Sequence, residues 1–380
     1  MTDIEHWTND IHTGDAAGTL AELPESSVHM VMTSPPYYGL RDYSVDGQIG
    51  LEESLDEYIE ELVGVFREVR RVLRPDGSAW LNLGDSYDGG KNKMLVPHRV
   101  AIALQDDGWI VRNDATWAKP NPMPQSVKDR LNDTTEQVFH LVSERDYWYD
   151  LDAIREPHAE STKARAENSG GSGGWNDDVG GQTENKGLQT KEYRDQLDPA
   201  GKNPGDVFEV TTKPFPEAHF AVYPPKLVEK PLKATCPPKV CAECGSPYNR
   251  DVERERVERN EPRGTERSED ADMAQSVDRS PVTNGSKYWE RLKNRKTEFK
   301  GWTPTCDCDT DATEPGIALD PFAGAGTTAL VAKRHGRRFI GIDLNEEYVA
   351  MAQKRLGLTV DHPEHVRQDD AQEGLEAFDP

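Results

Sequence analysis

The sequence predicts an α/β fold built around a mostly parallel sheet. Three observations carry this. Short apolar runs that suit buried strands alternate with amphipathic helical stretches, which argues for right-handed crossovers. Val28-His29-Met30-Val31-Met32 is one such run, and Thr33-Ser34-Pro35-Pro36-Tyr37-Tyr38 ends it, because two prolines lack amide donors and force a turn. Ile317-Ala318-Leu319-Asp320-Pro321-Phe322-Ala323-Gly324-Ala325-Gly326-Thr327-Thr328 reads as strand, tight loop and helix start. Open α/β sheets gather ligands beyond the carboxyl ends of their strands, so both turns are candidate sites.

The elements follow in order. Ile11–Asp15 is a short strand ending in an acid, and Ala16 to Leu23 reads as a helix. Ser54 caps the next helix, with Glu57 completing a capping box; Leu55, Ile59, Leu62, Val63, Phe66, Val69 and Leu73 keep helical spacing. Pro75-Asp76-Gly77 is expected to stop it before a strand over Ser78–Leu83. A helix over roughly Val96–Asp106 leads to a strand at Trp109–Val111. Lys119-Pro120-Asn121-Pro122-Met123-Pro124 is stiff and extended, and Phe139–Val142 and Tyr147–Tyr149 are expected to pair as strands. Residues 154–203 turn polar and glycine-rich, a helix is expected near Lys226–Leu232, and a second polar insert runs from Asn249 to about Ser286. The chain then gives the glycine loop, a helix, the strand Arg338–Ile342 ending in Asp343, and a helix to Leu356.

The chemistry concentrates in the two turns. The first offers a hydroxyl, carbonyls of restricted geometry and two aromatic rings, a set suited to a flat ring with an exocyclic amine. The second offers close backbone approach and free helix amides. An acid about 20 residues past such a loop is placed to grip ribose hydroxyls. Ala329 holds the position of the last glycine in a Gly-x-Gly-x-x-Gly pattern, which favours a mononucleoside over a dinucleotide.

Together, Asp320-Pro-Phe-Ala-Gly-Ala-Gly-Thr-Thr328 and Thr33-Ser-Pro-Pro-Tyr37 resemble the S-adenosylmethionine-dependent DNA amino-methyltransferases. The catalytic motif precedes the cofactor loop, as in the β class. Gly14-Asp15, the Lys119–Arg130 stretch, Asn203–Val207 and His219–Pro224 extend the resemblance. It implies a Rossmann-like methyltransferase fold with permuted motif order. The implied layout is 1–153 and 314–359 as the catalytic and cofactor-binding parts, 154–203 as a target-recognition insert, and 204–235 as a cofactor lid. Residues 236–313 would form a small zinc module with a polar insert, and 360–380 an acidic tail.

The resemblance also implies roles. Asp343 binds the ribose hydroxyls, Asp15 the adenine, and Asp320, Phe322, Gly324, Gly326 and Thr327 line the methionine side. Ser34 and the Pro35 carbonyl accept hydrogen bonds from the target amine, Pro36 stiffens the turn, and Tyr37 stacks on the base. The substrate is double-stranded DNA with the target base flipped out. A serine at the first motif position points to cytosine N4, with adenine N6 as the alternative; another class of reading is a non-catalytic DNA-binding zinc protein. A cognate restriction endonuclease is an expected partner. In the insert, Lys163, Arg165, Lys186, Lys191, Arg194 and Lys202 are candidate phosphate contacts, with Trp175 and Tyr193 as aromatic supports. His219 and His140 read as structural.

Cys241-Ala-Glu-Cys244 and Cys306-Asp-Cys308 supply four thiolates, enough for a closed tetrahedral zinc site, although the pairs lie farther apart than the usual ~15–20 residues. Free thiols are the alternative. Cys236 reads as an ordinary buried thiol. No signal segment or membrane-length apolar run is evident, so a reducing cytoplasm is the expected compartment.

The charge balance is unusual for a DNA-binding chain. Asp and Glu total 69 against 45 Lys and Arg, a net −24 in 380 residues, with a mean hydropathy of −0.81. Any contact with DNA therefore needs a local basic face. Acid spread along the whole chain suits a hydrated surface in molar salt, as in a salt-loving archaeon or its virus. On that reading the protein melts at higher temperature in molar KCl than in dilute buffer; equal melting temperatures would refute it.

Overall fold

The computed structural model describes residues 4–42, 45–162, 198, 200–212, 222–254 and 297–358. The chain divides into two compact units. One comprises Met1–Trp148, Val207–Pro238 and Pro315–Pro380, the other Tyr149–Asp206 and Lys239–Glu314.

The larger unit is an eight-stranded sheet. In chain order its elements are β1 (Asp10–Thr13), α1 (Ala16–Glu22), β2 (Val28–Thr33), α2 (Leu55–Val72), β3 (Leu73–Leu83), α3 (Val96–Asp106), β4 (Ile110–Ala118), β5 (Thr135–Val142) and β6 (Val207–Glu209). After α4 (Pro225–Thr235) the chain enters the smaller unit, with β7 (Val240–Cys241), β8 (Tyr248–Arg254), β9 (Thr297–Pro304) and β10 (Thr313–Glu314). It returns as β11 (Ile317–Asp320), α5 (Thr327–Arg334), β12 (Arg338–Asp343) and α6 (Glu346–Leu356). The spatial order is β1-β12-β11-β2-β3-β5-β4-β6. Pairing is parallel from β1 through β3, antiparallel at β3–β5 and β5–β4, and parallel again at β4–β6.

The strands of the parallel half are apolar throughout because both faces are covered. In β2 all six residues are buried. Val31 packs toward α1, α2 and α3 with Leu20, Leu62, Phe66 and Leu104. Met30 and Met32 pack on the other side with Leu227 and Leu232 of α4, Ala329 of α5 and Val349 of α6. The α2 start is as read: Ser54 Oγ accepts from the Glu57 amide at 3.2 Å, and a Glu57 carboxylate oxygen accepts from the Ser54 amide at 3.1 Å. Buried Tyr58, Leu62, Val63, Phe66 and Val69 form its inner stripe.

Three sequence expectations change. Pro75-Asp76-Gly77 does not interrupt the chain between helix and strand; α2 ends at Val72 and β3 begins at Leu73. The passage is absorbed by a register shift between Val28 and Met30 and by an Arg74–Asp76 ion pair. Tyr147–Tyr149 is no strand, because β5 already has β3 on one edge and β4 on the other. Trp148 is instead buried, its amide donating to the Asp76 carbonyl at 2.9 Å. The strand expected at Trp109–Val111 runs on to Ala118. In the smaller unit, residues 249–254 belong to β8, which pairs antiparallel with β9, while β7 pairs with β10; the rest of that polar insert, 255–296, lies outside the described residues. Among the described residues, no helix is long and apolar enough to cross a membrane.

His140 on β5 is buried, stacked on Trp80 at 4.2 Å between centroids, with Ser78 Oγ 3.0 Å from Nε2. Burial, helped by the nearby Arg112, pushes its pKa down to about 3. A depressed folded pKa means the unfolded chain takes up the proton first. Stability is therefore full above pH ~6.5 and falls as the pH drops toward the folded value. At about pH 5 the His140 contribution lost is about 2 kcal/mol. Urea titrations at pH 7 and about pH 5 should show a loss in the wild type that is absent from His140→Gln; equal losses would rule it out.

Candidate active site

Both sequence turns lie on one rim. β2 and β11 are adjacent, pairing Met30 with Ala318 and Val31 with Leu319. Their last residues are joined directly: Thr33 Oγ1 donates to Asp320 Oδ1 at 2.7 Å, both side chains buried. Tyr223, just before α4, donates to Asp320 Oδ2 at 2.7 Å, and the Phe322 amide donates to Oδ1 at 3.1 Å. Burial outweighs these bonds and pushes the Asp320 pKa up to about 6.

Beyond β11, Gly324 and Gly326 form the tight loop, and Gly326 takes the left-handed conformation (φ 69°) that starts α5. A Cβ at Gly326 would lie 3.0 Å from Ala352 Cβ, so glycine is needed twice over, for conformation and for space. Open space faces the Cβ position of Gly324. Phe322 is half-buried against the core. Thr327 is buried and accepts from Arg355 Nη1 at 3.0 Å. Asp343 ends β12, half-buried; its carboxylate accepts from the Gly324 amide at 2.7 Å and the Asn345 amide at 2.9 Å, while burial raises its pKa. Asp15 is exposed at the α1 N-cap, accepting from the Gly18 amide at 2.7 Å. The Gly14 amide donates to the Asp343 carbonyl, so Asp15 follows on the same rim. Open space at a glycine, the half-buried Asp343, the exposed Asp15 and the α5 N-terminus thus share one rim.

Beyond β2, Pro35 is buried, and the Pro36 carbonyl accepts from Tyr58 Oη of α2 at 2.9 Å, which fixes the turn against the core. The Tyr37 ring lies on Gly84, where a Cβ would come within 2.6 Å of it. Ser34 is half-buried, and its Oγ donates to Tyr37 Oη at 3.1 Å. Tyr37 Oη donates to Glu136 Oε2 at 2.7 Å, and Lys119 pairs with the other Glu136 oxygen. Burial first, and then Glu136, raise the Tyr37 pKa well above its ordinary value.

Sequence reading missed Asn82, Glu136 and Tyr58. Asn82 carried a signal, being a polar side chain inside the apolar run Ser78–Leu83. It is buried, and its Nδ2 lies 2.8 Å from both Tyr37 Oη and Glu136 Oε2 and 3.3 Å from Ser34 Oγ, while its Oδ1 has no hydrogen-bond partner. Glu136 carried none; it looks like any charge at a strand start. His219 and the residues 163–197 of the insert, with Trp175 and Tyr193, lie outside the described residues. Of the insert's cations Lys202 is described, and it pairs with Glu156 at 3.4 Å.

In the smaller unit the four cysteines Cys241, Cys244, Cys306 and Cys308 converge, their Sγ atoms all within 4.8 Å of one another. None forms a disulfide. The β8–β9 hairpin makes this possible: Tyr248 pairs with Pro304 at its base, bringing the two cysteine pairs together. Cys236 is separate, fully buried at the end of α4 in the larger unit, and burial pushes its thiol up to about 12.

Comparison with known proteins agrees with this geometry. A profile for the N6/N4 family, described as DNA methylase, matches residues 28–241 and 311–354. The type II methyltransferase M.SfiI of Streptomyces fimbriatus is 36% identical over 398 residues, covering 89% of each chain. M.XycI of Xanthomonas campestris pv. cyanopsidis is 32% identical, covering 90% of this chain and 86% of its own. A solved structure described as PvuII DNA methyltransferase (cytosine-N4-specific) superposes with a TM-score of 0.53 over 93% of this chain and 87% of that one, at 18% identity, a likeness of fold. With a Ser-Pro-Pro-Tyr turn and a glycine loop on adjacent strand ends, and with relatives matched over most of its length, the chain belongs to the N6/N4 family of DNA methylases.

Proposed function

We propose that this chain methylates the exocyclic N4 of cytosine in double-stranded DNA, using S-adenosylmethionine. The observation that carries the reading is the commitment of the Ser34 hydroxyl. Its hydrogen is given to Tyr37, so its remaining lone pair is free to accept from an amine at the rim. When bound, the cofactor supplies a sulfonium methyl. Asp343 and Asp15 would hold its ribose and adenine, and Phe322, Gly324, Gly326 and Thr327 would border its methionine end. Asp320 takes part from behind, since its carboxylate is buried and holds the rim together.

The target base is flipped out of the duplex, at a few kcal/mol, and stacks on Tyr37. Ser34 Oγ and the Pro35 carbonyl accept the amine hydrogens, which draws the nitrogen lone pair out of conjugation with the ring. Holding amine and methyl in line lowers the barrier by several kcal/mol. Serine at position 34 favours N4 over adenine N6, and the likeness to a protein described as cytosine-N4-specific supports the same choice. The relatives' type II names support a role beside a cognate restriction endonuclease. Residues 154–203 are assigned to target recognition. Nucleosides from DNA modified by this protein should contain N4-methylcytosine; a digest containing only N6-methyladenine would reject the choice of base.

We also assign the four cysteines to a structural zinc ion. Tetrahedral Zn–S bonds of ~2.3 Å place sulfurs about 3.8 Å apart, within reach of the clustered Sγ atoms without moving the hairpin. Four sulfurs leave no open position for catalysis. Freshly purified protein should carry one zinc per chain by elemental analysis, and Cys306→Ser should release it and destabilise the smaller unit; a metal-free wild type would exclude the ion.

A further inference from the structure

Glu136 belongs to none of the motifs, yet it ends a directed chain of hydroxyls that starts at Ser34. Ser34 Oγ donates to Tyr37 Oη at 3.1 Å, and Tyr37 Oη donates to Glu136 Oε2 at 2.7 Å. Asn82 Nδ2 touches all three groups and holds them in line. Lys119 closes the far side on Oε1, its ammonium also 4.5 Å from the centre of the Trp117 ring. Lys119 and Tyr37 are the ionisable groups bonded to Glu136. Each hydrogen along the chain already points away from the rim and toward the carboxylate. The Tyr37 phenol, held protonated by burial and by Glu136, passes a proton only by releasing its own as it takes one in.

We infer that Glu136 is the terminal proton acceptor of the methyl transfer, reached from the substrate amine through Ser34 and Tyr37. The inference rests on the reading of Ser34 as the amine acceptor. The nitrogen lone pair forms the new nitrogen–carbon bond while the carbon–sulfur pair stays with sulfur. The nitrogen is then one hydrogen in excess and positively charged. That hydrogen passes to Ser34 Oγ, the Ser34 hydrogen to Tyr37 Oη, and the Tyr37 hydrogen to Glu136 Oε2. The products are a neutral methylated amine, a neutral thioether and a neutral glutamic acid, so charge and atoms balance. A ring-conjugated nitrogen bearing the extra proton is far more acidic than a carboxylic acid, so the transfer runs downhill. The Glu136 side chain is 14% exposed and returns the proton to water. Before the proton moves, the negative end of the chain already sharpens Ser34 as an acceptor, a preorganised effect that costs no reorganisation during the reaction.

A structural role for Glu136, tying β5 to the loop after β4, predicts different behaviour. The test uses Glu136→Gln, Tyr37→Phe, the double variant and Ser34→Ala, in single-turnover methylation of a cognate duplex across pH. Tyr37→Phe keeps the ring for stacking and breaks the chain at its middle. Binding of S-adenosylhomocysteine by calorimetry provides a readout separate from activity. The expected result is unchanged calorimetric affinity and a rate lowered roughly 10²-fold in both single variants. The double variant should be no slower than either, because the two act in one chain. The pH profile of the rate should change in Glu136→Gln. A Glu136→Gln enzyme within about twofold of wild type with the same pH profile, beside a slow Ser34→Ala, overturns the relay and leaves the amine-acceptor reading standing. An unimpaired Ser34→Ala overturns both. If Glu136→Gln does not fold, Tyr37→Phe decides alone: wild-type rates sink the relay.

Discussion

The hydrogen bond between Thr33 and Asp320 is the constraint on which the active rim depends. The two residues are 287 positions apart in sequence and end neighbouring parallel strands. Both are buried, so an unmade bond here would leave an acceptor without water, at about 1–3 kcal/mol. The Tyr223 hydroxyl closes the other carboxylate oxygen, so three segments of the chain meet on one side chain. The raised Asp320 pKa measures the desolvation that the arrangement tolerates. This knot ties the residue before Ser34 to the strand that leads into the glycine loop, so the two turns are joined side chain to side chain.

The rim is rigid because the layers beneath it are packed from both sides. β2 alternates its side chains between two cores, one under α1 to α3 and one under α4 to α6. α2 reaches through Tyr58 to hold the Pro36 carbonyl, so a helix fixed by its capping box and inner stripe also fixes the Ser-Pro-Pro-Tyr turn. Gly84 leaves room for the Tyr37 ring to approach the exit of β3 closely. Such preorganisation lets hydrogen bonds act on a transition state without paying for rearrangement.

The smaller unit solves a different problem. Two-residue strands such as β7 and β10 cannot bury enough apolar surface to be stable alone. Here Arg250 lies over Phe299 and Trp302 and pairs with the buried Asp150 carboxylate, while four cysteines gather at the hairpin base. Polar and cation–ring contacts thus supplement a small core.

Much of this was legible in the residues themselves. Local signals identified α2: Ser54 and Glu57 announced its start, and apolar spacing from Leu55 onward gave its inner stripe. The prolines after Thr33 and the glycines after Phe322 announced both turns, because those residue types act through their own backbone geometry. What no local signal carried was who faces whom. The long sequence separation of Thr33 from Asp320 and of Tyr37 from Glu136 hides each pairing, since it arises from strand order and not from neighbours in the chain. For the same reason Tyr147–Tyr149 looked like a strand: its composition suits one, but both edges of β5 were already occupied. Sequence alone determined where the two turns fall, because proline and glycine act through their own backbone geometry; tertiary structure alone decided that Ser34, Tyr37, Asn82 and Glu136 form one network, because only sheet order brings the ends of β2, β3 and β5 together.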